Sequence, residues 1–260
     1  MEEIIEECKH LIADGAKEIV LIAQDTSYYG KDLYGGFCLS KLLQKIDTLG
    51  AQWVRILYAY PERITDELLS TIVKSKSILP YLDLPLQHVN DEILRAMGRP
   101  TTQKKLRELL TKIHNTGKEF TLRTTFITGF PGETEEDFEE TMDLVRRVRY
   151  DSAFTFLYSV RTGTPAAEYG DQVPEDIKHV RFERLVDALN EITAQKNALY
   201  QDRVEKVLVE GVSKSDGSTC SGRTDTFKLV NFSCGEEKIG QIVDVRITEA
   251  KTFSLFGELV

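Results

Sequence analysis

Over its first two hundred residues the chain alternates short apolar runs with amphipathic stretches of helical length. This alternation is typical of parallel strands joined by crossover helices. A complete eight-fold barrel takes about 250 residues. The segment therefore favours an α/β fold with a partial, open (βα) barrel. Its five predicted strands lie at residues 18–24, 53–58, 81–86, 119–128 and 153–158.

Helices are predicted between these strands from apolar periodicity and capping residues. Thr65 and Thr134 stand at N-cap positions, and Asp137 occupies the third helical position after Thr134. Pro174 starts the last helix, where a missing N–H costs nothing. The predicted helices span residues 2–14, 39–49, 91–97, 102–115, 134–148 and 174–199, with one more beginning after Thr65.

The pattern changes after residue 201. Short strands alternate there with turns rich in Gly, Ser and Asp, and no stretch of helical length remains. The strands are predicted at residues 204–210, 222–229, 242–247 and 255–259. We therefore expect an α/β domain at residues 1–201 and a small antiparallel β-barrel at residues 202–260, of the kind that binds nucleic acid or protein.

Composition excludes several classes of protein. The 260 residues carry 33 Lys and Arg against 42 Asp and Glu, a net charge of −9, which disfavours non-specific binding of nucleic acid. No apolar run approaches the ~18 residues of a membrane helix, and the acidic start resembles no leader peptide. Cys8, Cys38, Cys220 and Cys234 are not at metal or redox spacing, so reduced thiols in a cytoplasmic protein are expected.

Polar or Gly-rich sequence follows each predicted strand, and function in a parallel barrel gathers at the C-terminal strand ends. The sharpest feature is the glycine loop, residues 129–133, which leads into a helix N-terminus suited to an anionic or polar ligand group. A tight strand-to-helix connection is the alternative. The candidates at the strand ends are Gln24, Asp25, Gln87, His88, Gly129, Phe130, Pro131, Gly132, Glu133, Tyr158 and Ser159.

Three roles stay open on the residues alone. Asp83 and Arg123, on neighbouring strands, either pair inside the barrel, or Arg123 clamps a ligand carboxylate. Asp25 is a general base or a loop cap, and His88 is a ligand or an ordinary hydrogen-bonded side chain. No Walker loop, HExxH motif or Ser–His–Asp arrangement is present. Residue chemistry therefore indicates a barrel that binds a small polar ligand.

Six longer motifs stand in order along the chain: LIAQDTSYYG at 21–30, YAYP at 58–61, LDLPLQH at 82–88, RTTFITGFPGET at 123–134, RTGTPAA at 161–167 and GRT at 222–224. On these motifs the sequence resembles the radical SAM methylthiotransferases over essentially its whole length. The resemblance implies S-adenosylmethionine (SAM) as cofactor, cleaved reductively at a [4Fe-4S] cluster, with an electron donor and a sulfur source as partners. It also implies that the C-terminal barrel is an OB-like TRAM domain.

Motif position implies two sets of binding residues, and the catalytic residues stay unassigned. The residues expected to line the SAM cavity are Gln24, Gln87, Arg123, Gly129, Phe130, Gly132, Glu133 and Tyr158. The residues expected to contact the substrate are Asp25, His88, Lys214, Arg223 and Lys228.

The chain departs from the family in its cysteines. The family has a Cys-x-x-x-Cys-x-x-Cys loop after the first barrel strand and an N-terminal domain with three more cluster cysteines, and neither is found here. The four scattered cysteines are not expected to replace them, because a cluster needs thiolates that meet in space. The chain therefore resembles an N-terminally truncated enzyme whose barrel lacks its first strand. No metal ligands are assigned, and the chain alone is expected to be inactive.

The motifs resemble two types of enzyme that act on different substrates. Motifs up to residue 133 resemble the RimO type, which methylthiolates an aspartate of a small-subunit ribosomal protein. Those from residue 141 resemble the MiaB type, which modifies an isopentenylated adenosine beside the tRNA anticodon. We favour tRNA, because TRAM contacts substrate and is here of the tRNA type. The alternatives are the ribosomal protein, a non-catalytic module that binds RNA or protein, and an unrelated hydrolase using Asp25 and His88.

Overall fold

The computed structural model describes residues 1–213 and 219–260, and all five predicted parallel strands are present in it. They form a curved arc, covered on its outer side by helices. The strands are β1 (Glu18–Leu21), β2 (Trp53–Ile56), β3 (Tyr81–Gln87), β4 (Thr121–Thr128) and β5 (Ser152–Leu157). The helices are α1 (Glu2–Ala13), α2 (Lys31–Tyr34), α3 (Leu39–Ile46), α4 (Asp66–Lys74), α5 (Asp91–Ala96), α6 (Gln103–Asn115), α7 (Glu135–Val148) and α8 (Glu175–Ala198).

The arc consists of two parallel sheets that meet edge to edge. β1 pairs with β2, and β3, β4 and β5 form the second sheet in that order. An isolated parallel bridge between Val54 of β2 and Ile78, three residues before β3, links the two sheets. Within the described residues, β1 and β5 each pair along one edge, so the barrel is open as predicted. None of the described helices is long and apolar enough to cross a bilayer.

Capping side chains set the helix starts, as the sequence indicates. Thr65 Oγ1 accepts from the backbone N–H of Leu68 at 3.1 Å. Thr134 and Asp137 form a full capping box, in which each side chain accepts from the other residue's backbone N–H. Such a cap contributes about 1 kcal/mol. It also fixes where α7 begins, and therefore the length of the glycine loop.

In the described residues the C-terminal barrel is closed and has five strands, in the spatial order β10-β8-β7-β6-β9. Most neighbours are antiparallel, and a parallel pair, β10 with β8, closes the barrel. The single strand predicted at 222–229 is wrong, because residues 225–228 form a hairpin turn that splits it in two. The strands are β6 (Val204–Val212), β7 (Cys220–Thr224), β8 (Leu229–Phe232), β9 (Ile242–Ala250) and β10 (Leu255–Leu259).

The turn between β7 and β8, residues 225–228, docks against the end of the α/β barrel where its strands begin. We call it the docking turn. Arg55 of β2 donates to the carbonyl oxygens of Asp225 at 2.8 Å and Thr224 at 3.3 Å. Lys228 Nζ donates to the carbonyl oxygen of Asp151, just before β5, at 3.0 Å. The two domains are therefore joined by buried polar contacts as well as by the chain itself.

The prediction that the four cysteines are reduced thiols is wrong for two of them. Cys220 and Cys234 form a disulfide, with Cα atoms 5.8 Å apart, whereas Cys8 and Cys38 are buried free thiols. Cys220 lies on β7, and Cys234 follows the neighbouring strand β8 by two residues. The barrel brings the pair together across 14 residues of sequence, a separation that matches no motif.

Candidate functional site

Alternate residues of the five parallel strands face the inside of the arc, which we call the lumen. Two ion pairs between neighbouring strands define this face. Arg55 Nε on β2 lies 2.5 Å from Glu18 Oε1 on β1. Arg123 Nη2 on β4 lies 2.6 Å from Asp83 Oδ2 on β3. The lumen is therefore lined by charged side chains that are almost wholly buried, an arrangement that sheet packing alone does not require.

The pairing of Asp83 with Arg123 confirms one of the two roles considered for Arg123. Asp83 Oδ2 also accepts from the backbone N–H of Tyr58 at 3.1 Å. Burial is the largest single influence and acts to lower the pKa of Arg123, but the hydrogen bond to Asp83 and the nearby charges of Asp83, Tyr81 and Tyr58 together outweigh it, so that the pKa is raised. Arg123 Nε is buried and has no partner among the described residues. One charged N–H thus stays available to a ligand.

The docking turn forms the floor of the lumen. The ring of Phe227 lies 4.6 Å from the guanidinium carbon of Arg55, 5.8 Å from that of Arg123 and 4.4 Å from that of Arg223. It also packs on Tyr81, with ring centroids 5.7 Å apart. Burial raises the pKa of Tyr81 to about 12. The docking turn therefore closes the lumen at the end opposite the C-terminal strand ends.

The upper lumen has aromatic and strained residues at its rim. Tyr58 lies two residues beyond the end of β2, and Gln87 is the last residue of β3. Both have left-handed φ values, 54° for Tyr58 and 73° for Gln87. Left-handed backbone in non-glycine residues costs free energy and clusters at functional sites. Tyr158 packs edge-on against Phe130 at 5.1 Å, and its buried hydroxyl has no partner in the part of the chain that the structure describes. Gln24 is exposed beyond the end of β1.

The carboxylate of Glu133 holds the glycine loop together. Its Oε2 accepts from the backbone N–H of Gly129 at 3.0 Å and lies 3.2 Å from His88 Nε2, while its Oε1 accepts from Arg181 at 2.9 Å. His88 Nδ1 accepts from the backbone N–H of Asn90, so the ring proton sits on Nε2 and is donated to Glu133. Both side chains are buried and fully engaged in organising the loop.

Gly129 and Gly132 allow the loop to pack closely against neighbouring segments. A Cβ at Gly129 would overlap the side chain of Lys178 on α8, and Gly132 donates its N–H to the carbonyl of Asp171 at 2.9 Å. The glycines thus serve the packing of the loop, as the tight-connection alternative proposed. Phe130, between them, is buried against Tyr158.

Asp25 caps its loop instead of standing free as a base. Its carboxylate pairs with Arg63 and accepts from the side chain and backbone N–H of Ser27. His88 is engaged with Glu133, so neither residue of the alternative hydrolase is available in the form that it requires. Arg63, Arg55 and Phe227 were missed by sequence reasoning, since their partners lie far away in sequence.

The basic residues expected to contact substrate from the TRAM side are mostly committed elsewhere. Lys228 is buried at the domain junction, and burial lowers its pKa. Arg223 Nε lies 3.3 Å from Glu210, and its guanidinium lies over Phe227. Lys214 lies outside the described residues. Lys228 is therefore corrected from a surface cation to a residue of the domain junction.

No group of three metal-ligating side chains occurs within residues 1–213 and 219–260. Cys8 lies on α1, Cys38 precedes α3, and the other two cysteines are bonded to each other. The residues described here therefore do not fit a [4Fe-4S] cluster, which needs convergent thiolates.

A partial parallel barrel with its polar loops at the C-terminal strand ends, joined to a five-stranded OB-like barrel, defines the class of protein. The sequence matches the Radical SAM superfamily over residues 1–145 and the TRAM domain over residues 198–260. The chain belongs to the radical SAM superfamily. The domain boundary that we place after residue 201 stays a prediction, three residues beyond the last residue of α8.

The chain is similar through both domains to curated tRNA-2-methylthio-N(6)-dimethylallyladenosine synthases. It is 47% identical over 258 residues to that of Clostridium botulinum, a match covering 99% of this chain and 57% of the relative. For that of Carboxydothermus hydrogenoformans the identity is 44% over 260 residues, covering 100% of this chain and 59% of the relative. The chain thus spans less than two thirds of the length of these relatives.

Among solved structures, the chain is similar to coproporphyrinogen III oxidase from Escherichia coli, a radical SAM enzyme. The TM-score is 0.56 at 16% sequence identity, and the match covers 86% of this chain and 60% of that one. At this identity the similarity supports the fold, and it confirms the expected radical SAM type of barrel.

Proposed function

We propose that this chain is the SAM- and substrate-binding part of a methylthiotransferase that modifies a tRNA adenosine beside the anticodon, the MiaB type. The observation that carries the proposal is the 47% identity, through both domains, to a relative named as a tRNA-2-methylthio-N(6)-dimethylallyladenosine synthase. The lumen supports it, because a buried charged donor and an aromatic rim suit a nucleoside ligand.

The free polar atoms of the lumen fit SAM. The unpartnered Nε of Arg123 suits the methionyl carboxylate, and the unpartnered hydroxyl of Tyr158 suits a ribose or adenine atom. Phe130 and the backbone of the glycine loop are proposed to border the adenine. SAM bound there supplies the hydrogen-abstracting chemistry of the superfamily. Gln24 and Gln87 are proposed to complete the site from the ends of β1 and β3, and Glu133 to hold the loop in shape.

The cluster ligands are proposed to come from outside the described residues. Because the four cysteines do not converge, we expect the chain alone to be inactive in methylthio transfer and to retain binding. Binding of RNA is proposed to rely on the rim of the barrel more than on a basic TRAM surface. Lys206 pairs there with Asp244, and Lys251 pairs with Glu249.

Two binding measurements test the proposal. Fluorescence anisotropy with an anticodon stem–loop RNA should show saturable binding, and a peptide carrying the ribosomal-protein aspartate should show none. A stem–loop with uridine in place of the target adenosine is the matched control and should bind more weakly. Binding of the peptide without binding of RNA would favour the RimO-type alternative.

Anaerobic reconstitution with iron and sulfide should give no stoichiometric cluster.

A further inference from the structure

Two large aromatic side chains stand exposed on the lumen face of β5. Phe154 is 46% exposed and Phe156 is 54% exposed, although both belong to a regular strand. In the register of the sheet, Phe154 lies beside Thr125 and Phe156 beside Ile127 of β4. By contrast, Phe126 on the opposite face of β4 is wholly buried. Neighbouring apolar rings left exposed in a cleft mark a place where a ligand binds.

The first of these rings adjoins Arg123, whose buried Nε has no partner among the described residues. The ring of Phe154 lies 5.1 Å from the guanidinium carbon of Arg123. Arg123 is nine-tenths buried, and its Nε is unpaired. The cleft thus offers an apolar wall next to a buried hydrogen-bond donor. At the other edge of the arc, Val20 of β1 and the following Ile22 are also exposed.

The chemistry of this cleft favours one class of occupant. Enzymes that act on a base in RNA take it out of its stack and hold it against aromatic rings. A purine carrying a branched alkyl group needs both a stacking surface and an apolar wall. The aspartate of a protein substrate needs neither. Two exposed phenylalanines therefore suit an N6-alkylated adenine better than an acidic peptide.

We propose that Phe154 and Phe156 form the wall against which the N6-dimethylallyl group of the target adenosine lies. The inference rests on the proposed function and deepens it, since it assigns discrimination between alkylated and plain adenosine to these two residues. The lumen sides of β1 and β5 then hold the apolar part of the nucleoside, and Arg123 and the strand-end residues are left to the cofactor.

The test compares two anticodon stem–loop RNAs that differ only in the N6-dimethylallyl group, bound to the intact chain and measured by fluorescence anisotropy. The alkylated RNA should bind about tenfold more tightly, as expected for partial burial of a small alkyl group. The double variant Phe154→Ala/Phe156→Ala should reduce this preference to near unity. Phe154→Leu/Phe156→Leu should keep most of it, because the apolar wall remains.

The matched control is Phe253→Ala, since Phe253 is a 74% exposed phenylalanine of the TRAM side. It should leave both affinities unchanged. Equal affinity of the unaltered chain for the two RNAs would overturn this inference alone, as would a preference that survives the alanine double variant. Failure to bind either RNA would overturn the proposed function and this inference with it. Thermal unfolding of each variant verifies that it is folded.

Discussion

The guanidinium of Arg55, on β2 of the α/β barrel, lies 4.6 Å from the ring of Phe227 in the docking turn of the other domain. Arg55 is wholly buried, and burial lowers its pKa although Glu18 pairs with it. Phe227 has a left-handed φ of 68°, which costs a non-glycine residue about 1 kcal/mol. Contacts with buried arginines hold it there, so the TRAM domain completes the lumen floor.

Removal of this ring should loosen the junction of the two domains. Phe227→Ala is expected to lower the free energy of unfolding by about 2 kcal/mol, below the usual range for a core phenylalanine because the ring is only partly buried. Urea denaturation followed by circular dichroism measures the change. Phe253→Ala, at a highly exposed phenylalanine, is the control and should be near neutral. Equal stability of the two variants would contradict the role of Phe227 at the junction.

The sequence predicts the strands and helices of the barrel well, because periodicity and capping are local signals. Thr134 and Asp137 are three residues apart, and their capping box is found as expected. The contact of Arg55 with residue 225 spans 170 residues, and no local pattern reveals it. The same holds for the split of the predicted strand at 222–229, because the turn is held by partners in the other domain. The pairing of Asp83 with Arg123 is one of the two roles that the sequence offers for Arg123, since neighbouring strands place the two residues side by side.

Lys228 should make the free energy of unfolding depend on pH in the alkaline range. Burial lowers its pKa below the ordinary value of 10.5. Between the folded and unfolded pKa values the unfolded chain binds the extra proton, so the free energy of unfolding rises with pH across this window and levels off above 10.5. The free energy of unfolding is measured against pH for the unaltered chain and for Lys228→Met, and the difference between the two curves isolates the contribution of Lys228. A difference that falls as pH rises towards 10.5 would contradict the assignment.

Loss of the Glu133 charge should destabilise the glycine loop. In Glu133→Gln one acceptor becomes an amide donor, which then faces N–H groups of His88, Gly129 or Arg181. We expect a loss of about 3 kcal/mol in the free energy of unfolding, since a buried partner is left unpaired. Glu136→Gln, at an exposed position on α7, should change it little. Similar midpoints in denaturant for the two variants would argue against this role.

The disulfide should make the stability of the C-terminal barrel sensitive to reductant. Cys220 and Cys234 close a loop of 14 residues, for which chain entropy predicts a contribution of about 3 kcal/mol. Dithiothreitol should therefore lower the unfolding temperature, and Cys220→Ala/Cys234→Ala should remove the response. Mass spectrometry after alkylation should find Cys8 and Cys38 as the free thiols. Alkylation of all four cysteines in the oxidised protein would show that the bond is absent.

Alanine substitutions at Gly129 and Gly163 should distinguish the cost of backbone strain from the cost of steric overlap. Both have left-handed φ values, 74° and 85°, so alanine at either position costs about 1 kcal/mol in backbone strain. A Cβ at Gly163 meets nothing within 4 Å, whereas one at Gly129 overlaps the buried stem of Lys178. Gly129→Ala should therefore cost about 2 kcal/mol more than Gly163→Ala in the free energy of unfolding, measured by urea denaturation. Equal costs would mean that Lys178 moves aside freely, and the loop would then not be held by its contact with α8.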